Sequence, residues 1–218
     1  MKMNSIEFPG ESATGAKASS EDDKSSPNKG VVNFFFELGM LKKTPRSGFQ
    51  FLGSGAESVA DHSFRVALIG YAMARMTPNV DPFKVVSLCL FHDVPEARTA
   101  DMNYVNKQYV QVNERGAMAD LAETLPFGAD LLAFLEEYRK EATQEAKLAH
   151  DADQLDLILE LKQQKDLGNA YAIQWIHFAI KRLMTDLGKE LADEILHTDS
   201  AAWWFEGHDH WWHRNREE

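Results

Sequence analysis

His92 stands directly beside Asp93 at the end of the apolar run Cys89-Leu90-Phe91, and two more carboxylates, Glu96 and Asp101, follow closely. An imidazole and a carboxylate at the mouth of a buried helix cost free energy unless something partners them. A divalent metal is the simplest partner. One nitrogen and one oxygen donor suit Mn, Fe, Co, Ni or Zn better than an ion that selects thiolates. Adjacent residues of a regular helix point about 100° apart, so a helix continuing through both side chains would not bring them to one ion. The helix must therefore end or distort here. Pro95 agrees, because it disfavours helical geometry at Val94.

Other residues of the same chemical type lie elsewhere in the chain. His62, Val66, Ile69 and Met73 recur at helical spacing, which puts His62 on a buried stripe, as a core histidine or as a ligand. His92 shares an inward face with Val85, Leu88 and Cys89, so two successive helices each present a histidine inward, which suggests a shared partner. Further on, Ala149-His150-Asp151-Ala152-Asp153-Gln154-Leu155-Asp156 sets three aspartates on an otherwise apolar stretch. They point in different directions, and periodicity does not choose between them. His150 reads as a surface residue. Arg46, in the loop Thr44-Pro45-Arg46-Ser47-Gly48, is either a solvated loop arginine or a bidentate phosphate ligand, the geometry that a guanidinium suits. Near the C-terminus, His208, His210 and His213 lie among Trp203, Trp204, Trp211 and Trp212. They offer a second metal site, or an aromatic surface that docks on the body or on a partner subunit.

The elements that must position these groups all read as helices. Val31, Phe34, Phe35, Leu38 and Leu41 mark a core helix over 30–43. Ser58, with an acid three residues on at Asp61, starts a helix running to about Met76. Asp81-Pro82 is an N-cap followed by a proline at the first helical position. Residues 107–124 suggest a mixed helix, 129–165 one long helix or two, 169–187 another and 188–197 a short one. No segment resembles a β-strand, so the expected fold is all-α. Residues 1–29, polar and poor in apolar side chains, read as a disordered tail, 30–198 as the domain and 199–218 as a Trp/His-rich C-terminal tail.

Composition narrows the function. The 218 residues carry a net charge of −11, which argues against a broad nucleic-acid face but allows a small phosphorylated ligand held by a few local cations. The single cysteine, Cys89, forms no internal disulfide and points to a reducing, cytoplasmic setting. No signal peptide and no membrane-length apolar run is evident.

Taken together, these residues resemble the HD-domain metal-dependent phosphohydrolases over roughly 30–190, and most closely their 5'-deoxynucleotidase branch, the YfbR-like and HDDC2-like proteins. Pro45-Arg46-Ser47-Gly48 is similar to the family's arginine loop. Glu57-Ser58-Val59-Ala60-Asp61-His62-Ser63 resembles its E-S-V-[SA]-[DE]-H segment, and His92-Asp93-x-x-Glu96 followed by Asp101 its H-D-x-x-E-x-x-x-x-D segment. Asp153-Gln154-Leu155 resembles its late aspartate helix, which singles out Asp153. The departures are Phe49, near where some members carry tryptophan, Ala100, where glycine is usual, and the Trp-rich tail.

The resemblance implies an HD-domain helical bundle, usually a homodimer. It implies one divalent ion (Mn, Co, Fe, Ni, Zn or Mg) held by His62, His92, Asp93 and Asp153, with Glu96 and Asp101 as the catalytic carboxylates and Arg46 and Phe49 binding substrate. The reaction it implies is hydrolysis of (deoxy)nucleoside 5'-monophosphates. Rival readings are a cyclic-nucleotide phosphodiesterase, a nucleoside triphosphate hydrolase, and a non-catalytic helical metal-binding module. Ala97 directly after Glu96 speaks against an alarmone hydrolase, and the spare carboxylates Glu96 and Asp101 speak against a purely structural metal.

Overall fold

The computed structural model describes Ser26 and residues 28–207. Residues 1–25 of the expected N-terminal tail, and His208, His210 and His213 of the C-terminal one, lie outside the described residues. The helices are α1 (Lys29–Leu41), α2 (Phe49–Leu52), α3 (Val59–Met76), α4 (Pro82–Phe91), α5 (Glu96–Thr99) and α6 (Asn106–Tyr109). They continue as α7 (Glu114–Ala122), α8 (Gly128–Lys140), α9 (Gln144–Asp166), α10 (Ala172–Ile180), α11 (Asp186–His197) and α12 (Ala202–Phe205). Among the described residues there is no strand, and the extended pairing is an isolated antiparallel bridge between Pro45 and Ser58. The fold is all-α. No described helix is long and apolar enough to cross a membrane.

Local chemistry sets the helix starts. The Ser58 side chain accepts from the Asp61 amide while the Asp61 side chain accepts from the Ser58 amide, a complete capping box at the head of α3. Asp81 accepts from the amides of Phe83 and Lys84, and Pro82 opens α4. Each such cap is worth about 1 kcal/mol. The α4 helix ends at Phe91: His92, its C-cap, is still helical and donates to the Leu88 carbonyl, whereas the Val94 amide already turns to the Phe91 carbonyl, so the spiral is broken at Asp93.

Two stretches differ from the sequence expectation, and in a third the structure chooses between one long helix and two. Residues 107–124 divide into α6 and α7. Residues 129–165 divide at Glu141, whose φ of 50° ends α8, and Thr143 then caps α9. The stretch 169–187 is not one helix. It stops at Ile180, because the amides of Met184 and Thr185 turn back to donate to Asp151, each at 2.8 Å. Thr185 then caps α11. In α1, Phe34 and Leu41 are buried whereas Phe35 is exposed.

α9 is the axis of the fold and packs against α3, α4, α8, α10 and α11. Its buried positions lie all round the helix, Leu148, Ala152, Leu155, Ile158 and Leu161 among them. Gly70 lets α3 approach α4: a Cβ there would stand 2.6 Å from Cys89 Sγ. A second apolar cluster, with Phe34, Val94, Met118, Leu121 and Leu131, fixes the turn after α4 against α1, α7 and α8.

Candidate metal centre

Three mutually packed helices deliver the central side chains. His62 lies in the first turn of α3 and is fully buried. His92 and Asp93 follow α4, and Asp153 lies on α9. The two imidazole centroids are 5.7 Å apart. One donor atom each from His62, His92 and Asp153 lies within 4.8 Å of the others. Asp93 Oδ2 joins them, 3.5 Å from His62 Nε2 and 3.3 Å from His92 Nε2. Asp153 Oδ1 is 3.2 Å from His62 Nε2.

The remaining atoms of the two imidazoles show what these nitrogens are for. His92 Nδ1 lies 2.7 Å from the Cys89 carbonyl oxygen. A carbonyl only accepts, so Nδ1 carries the proton and the neutral ring presents a lone pair at Nε2. His62 Nδ1 is likewise 2.7 Å from Asp156 Oδ2. Both Nε2 atoms are buried and make no aligned hydrogen bond, although carboxylate oxygens stand close by. Two imidazole lone pairs and two carboxylates converging on one point form a donor set that fits a divalent cation.

The electrostatics show that the carboxylates favour a positive charge at these nitrogens, a proton or the cation that displaces it. Burial works to lower the His62 pKa, but Asp153 and Asp156 outweigh it and raise it to about 10. Burial opposes ionisation of Asp93, yet His92, His62 and Arg46 pull its pKa down to about 2. Asp153 also lies well below the usual carboxylate range: burial acts against this, and His62 foremost overcomes it. The pocket holds negative charge that a cation would neutralise.

A surrounding layer fixes these groups. Asp156, almost fully buried, accepts from both His62 and Arg65 Nε. Arg65 is also paired with Glu160 at 2.6 Å and approaches Glu57 at 3.5 Å. Gln154 Nε2 donates to Asp153 Oδ2 at 2.7 Å, which leaves Oδ1 facing the imidazoles. Glu57, His62 and Asp156 also lie close enough together to suggest a second ion. The His62 Nδ1 proton and Arg65 already occupy the Asp156 oxygens, so this cluster is accounted for as a hydrogen-bonded support.

Arg46 projects from the loop pinned by the Pro45–Ser58 bridge, and its amide donates to the Glu57 carbonyl at 2.9 Å. Its Nη1 stands 3.4 Å from Asp93 Oδ2. Asp101 accepts from the Ser47 amide at 2.7 Å and from the Ser47 hydroxyl at 3.3 Å, tying the Arg46 loop to the segment after α5. Glu96 Oε2 is buried without a partner. Burial, together with Asp93 and Asp101, pushes the Glu96 pKa up to about 9. These groups line one cavity of about 890 Å³, whose walls include Phe49, Leu157, Trp175 and Phe178. Ligand cavities commonly span roughly 300–1,000 Å³.

The structure thus gathers the site residues that the family resemblance implies, namely Arg46, Phe49, His62, His92, Asp93, Glu96, Asp101 and Asp153, around this centre and cavity. Half-buried His150 instead lies beside Asp151 and Glu141. Sequence reasoning left out Asp156, Arg65, Gln154 and Trp175. Asp156 was in view as one of three neighbouring aspartates, and its spacing of three from Asp153 was the available signal. Trp175 gave none.

The family described as HD domain matches residues 38–196. Among curated relatives, the mouse (Mus musculus) protein named 5'-deoxynucleotidase HDDC2 is 29% identical over 151 residues, covering 66% of this chain and 75% of that one. The Xenopus laevis protein of the same name is 30% identical over 149 residues, covering 66% and 73%. Among solved structures, a conserved hypothetical protein from Pyrococcus furiosus superposes with a TM-score of 0.64 at 27% identity, over 77% of this chain and 99% of that one.

Proposed function

This chain belongs to the HD-domain family, and from that premise we propose that it is a metal-dependent phosphohydrolase that cleaves nucleoside and deoxynucleoside 5'-monophosphates to nucleoside and phosphate. The observation that carries this reading is the pair of buried Nε2 atoms of His62 and His92, without an aligned hydrogen bond, beside Asp93 and Asp153, which line a cavity together with Arg46. Relatives whose names state 5'-deoxynucleotidase activity support the substrate class.

His62, His92, Asp93 and Asp153 would hold one divalent ion, drawn from Mn, Co, Fe, Ni, Zn and Mg. When bound, such an ion supplies positive charge to phosphate oxygens and acidifies a water. The chain's own residues do the rest. A phosphomonoester is an anion that repels nucleophiles, so uncatalysed hydrolysis is extremely slow. Arg46 offsets that charge from the opposite segment and fixes the phosphate with its forked donors. Glu96, buried and inclined to keep a proton, is assigned the proton transfer to the leaving 5' oxygen. Asp101 keeps the Arg46 loop in register through Ser47 and faces the sugar. Phe49 and Trp175 offer flat walls to the nucleoside.

The proposal extends to the domain limits 30–198, with 1–29 and 199–218 as appended tails. It also includes a cytoplasmic homodimer, in keeping with the single buried thiol and with exposed Phe35, Phe36, Phe64 and Leu68 on α1 and α3. Sizing chromatography with light scattering tests the dimer. For the activity, phosphate release is measured on a panel of ribo- and deoxynucleoside monophosphates with Mn, Co, Mg and Zn in turn. His62→Ala and Asp93→Ala are expected to lose bound metal and turnover together. Full turnover by a metal-free Asp93→Ala protein would refute the site.

A further inference from the structure

We infer that the same cavity carries a second anion subsite at its outer rim, built from Lys107, Lys181 and Arg182, which takes a second phosphate on the 3' side of the nucleotide. This rests on the reading of the inner site as a nucleotide phosphohydrolase and names a narrower substrate class for it.

The cavity wall carries Asp93, Glu96, Asp101 and Asp153 of the candidate site, and with them three further cations, exposed Lys107 and Lys181 and half-buried Arg182. The chain as a whole carries a net charge of −11. The three cations form no ion pair with a carboxylate among the described residues. Arg182 instead donates through Nη1 to the Tyr104 hydroxyl and lies 5.7 Å over the Tyr104 ring. Its Nε is buried without a partner. Lys181 Nζ stands 5.5 Å over the Phe178 ring. A guanidinium steadied by an aromatic face with donors unspent is disposed to grip an oxyanion.

One phosphate does not require this rim, because Arg46 and the metal centre meet its charge at the inner end. Trp175 and Phe178 also line the cavity and offer stacking faces to a base. A ligand matching the whole surface has a phosphomonoester at one end, an aromatic body, and a further phosphate. Nucleoside 3',5'-bisphosphates and 5'-phosphorylated dinucleotides share that chemistry. The first ends in a free monoester, and the second passes a diester across the rim.

The test compares deoxyadenosine 5'-monophosphate, deoxyadenosine 3',5'-bisphosphate and a 5'-phosphorylated dinucleotide as substrates of the metal-loaded full chain. A few solvent-facing charge contacts of this kind together amount to about tenfold. The expected result is therefore a KM about tenfold lower for a substrate with the second phosphate. Preference between the bisphosphate and the dinucleotide identifies the source of that phosphate. The advantage is expected to fall to near one in Lys181→Ala/Arg182→Gln. Lys181→Glu changes only an exposed side chain, so it covers the case in which the double variant misfolds, and it is expected to reverse the preference. Equal KM values in the unaltered protein, or an advantage that survives both variants, overturn the subsite. A loss that is equal for all three substrates also overturns it, assigning the rim to general attraction of anions. If no substrate is hydrolysed, the phosphohydrolase reading fails. Calorimetric titration of the EDTA-treated protein with the monophosphate and bisphosphate then decides the subsite alone. Tighter bisphosphate binding that is lost in Lys181→Glu supports it, and equal affinities remove it.

Discussion

Asp156→Asn keeps the size of a buried side chain and removes its charge, so it isolates what that charge does. The carboxylate accepts from His62 Nδ1 at 2.7 Å through Oδ2 and from Arg65 Nε through Oδ1. An amide has one carbonyl oxygen, so it can accept from only one of these donors. Arg65 retains Glu160 at 2.6 Å, so the burden falls on His62, which is fully buried. If the amide oxygen faces His62, the tautomer survives but the imidazole loses the electron density that a carboxylate lends it. If the NH2 group faces His62, Nδ1 must accept, and the ring proton moves to Nε2, where it blocks a cation. Either outcome predicts weaker metal binding, by about 10- to 100-fold, the scale for removing a partner of a ligating histidine. One buried donor left unmatched costs about 1–3 kcal/mol, which lowers Tm by roughly 2–12 °C for a chain of this size. Competition against a chromophoric chelator reads the affinity, and calorimetry reads Tm. A metal affinity within twofold of the unaltered protein would refute the argument that Asp156 sets the His62 tautomer.

Other expectations follow from the same geometry. Glu96→Gln is expected to keep its metal, measured by elemental analysis, and to lose at least about 100-fold in kcat, the usual scale for losing a proton-transfer group. An undiminished kcat would reduce Glu96 to a bystander. Arg46→Lys retains charge but not the planar fork, so kcat/KM should drop about tenfold or more in steady-state assays. Ala100 sits at φ 60°, ψ 160°, a backbone region that strongly favours glycine, so Ala100→Gly is expected to raise the urea midpoint by the equivalent of about 1 kcal/mol. Asp151 is buried and accepts from the Met184 and Thr185 amides. Burial works to raise its pKa, and the bonds from His150, Thr185 and Met184 overcome this and lower it. A depressed folded pKa contributes stability above the unfolded value near pH 4, and that contribution is lost as pH falls through the folded value. Asp151→Asn should therefore destabilise at neutral pH, and the gap should close below about pH 4 in pH-dependent urea melts. A constant gap would show that charge is not the cause.

The parts of the fold legible in the sequence are those written locally. Ser58 with Asp61, and Asp81 with Pro82, satisfy orphan amides within a few residues, so the starts of α3 and α4 could be read directly. The breaks that sequence reasoning missed or left open have distant or conformational causes. The turn after α10 exists because Asp151, on another helix, collects the amides of Met184 and Thr185. The end of α8 depends on Glu141 at positive φ, a role that residue type does not announce. α9 escaped a periodicity argument for a third reason. A helix packed on five neighbours buries side chains all round, so it has no single apolar stripe against which to orient its aspartates.

The same division runs through the candidate centre. The proposed ligands sit in short patterns and could be named, whereas their supports join residues far apart: His62 and Asp156 are separated by 94 positions. Yet two of the α9 aspartates, Asp153 and Asp156, read from the sequence as pointing in different directions, act on one ring. Asp153 stands 3.2 Å from His62 Nε2 and Asp156 stands 2.7 Å from Nδ1. Residues three apart lie one turn along the same side of a helix, so α9 spans the imidazole with one carboxylate at each nitrogen. A rotation of α9 about its axis would withdraw both at once. Gln154, between them, locks Asp153 from the side. The rotation of the central helix and the lone-pair direction at His62 are therefore set together, which is why the packing of apolar residues such as Leu155 and Ile158 also orients the metal centre.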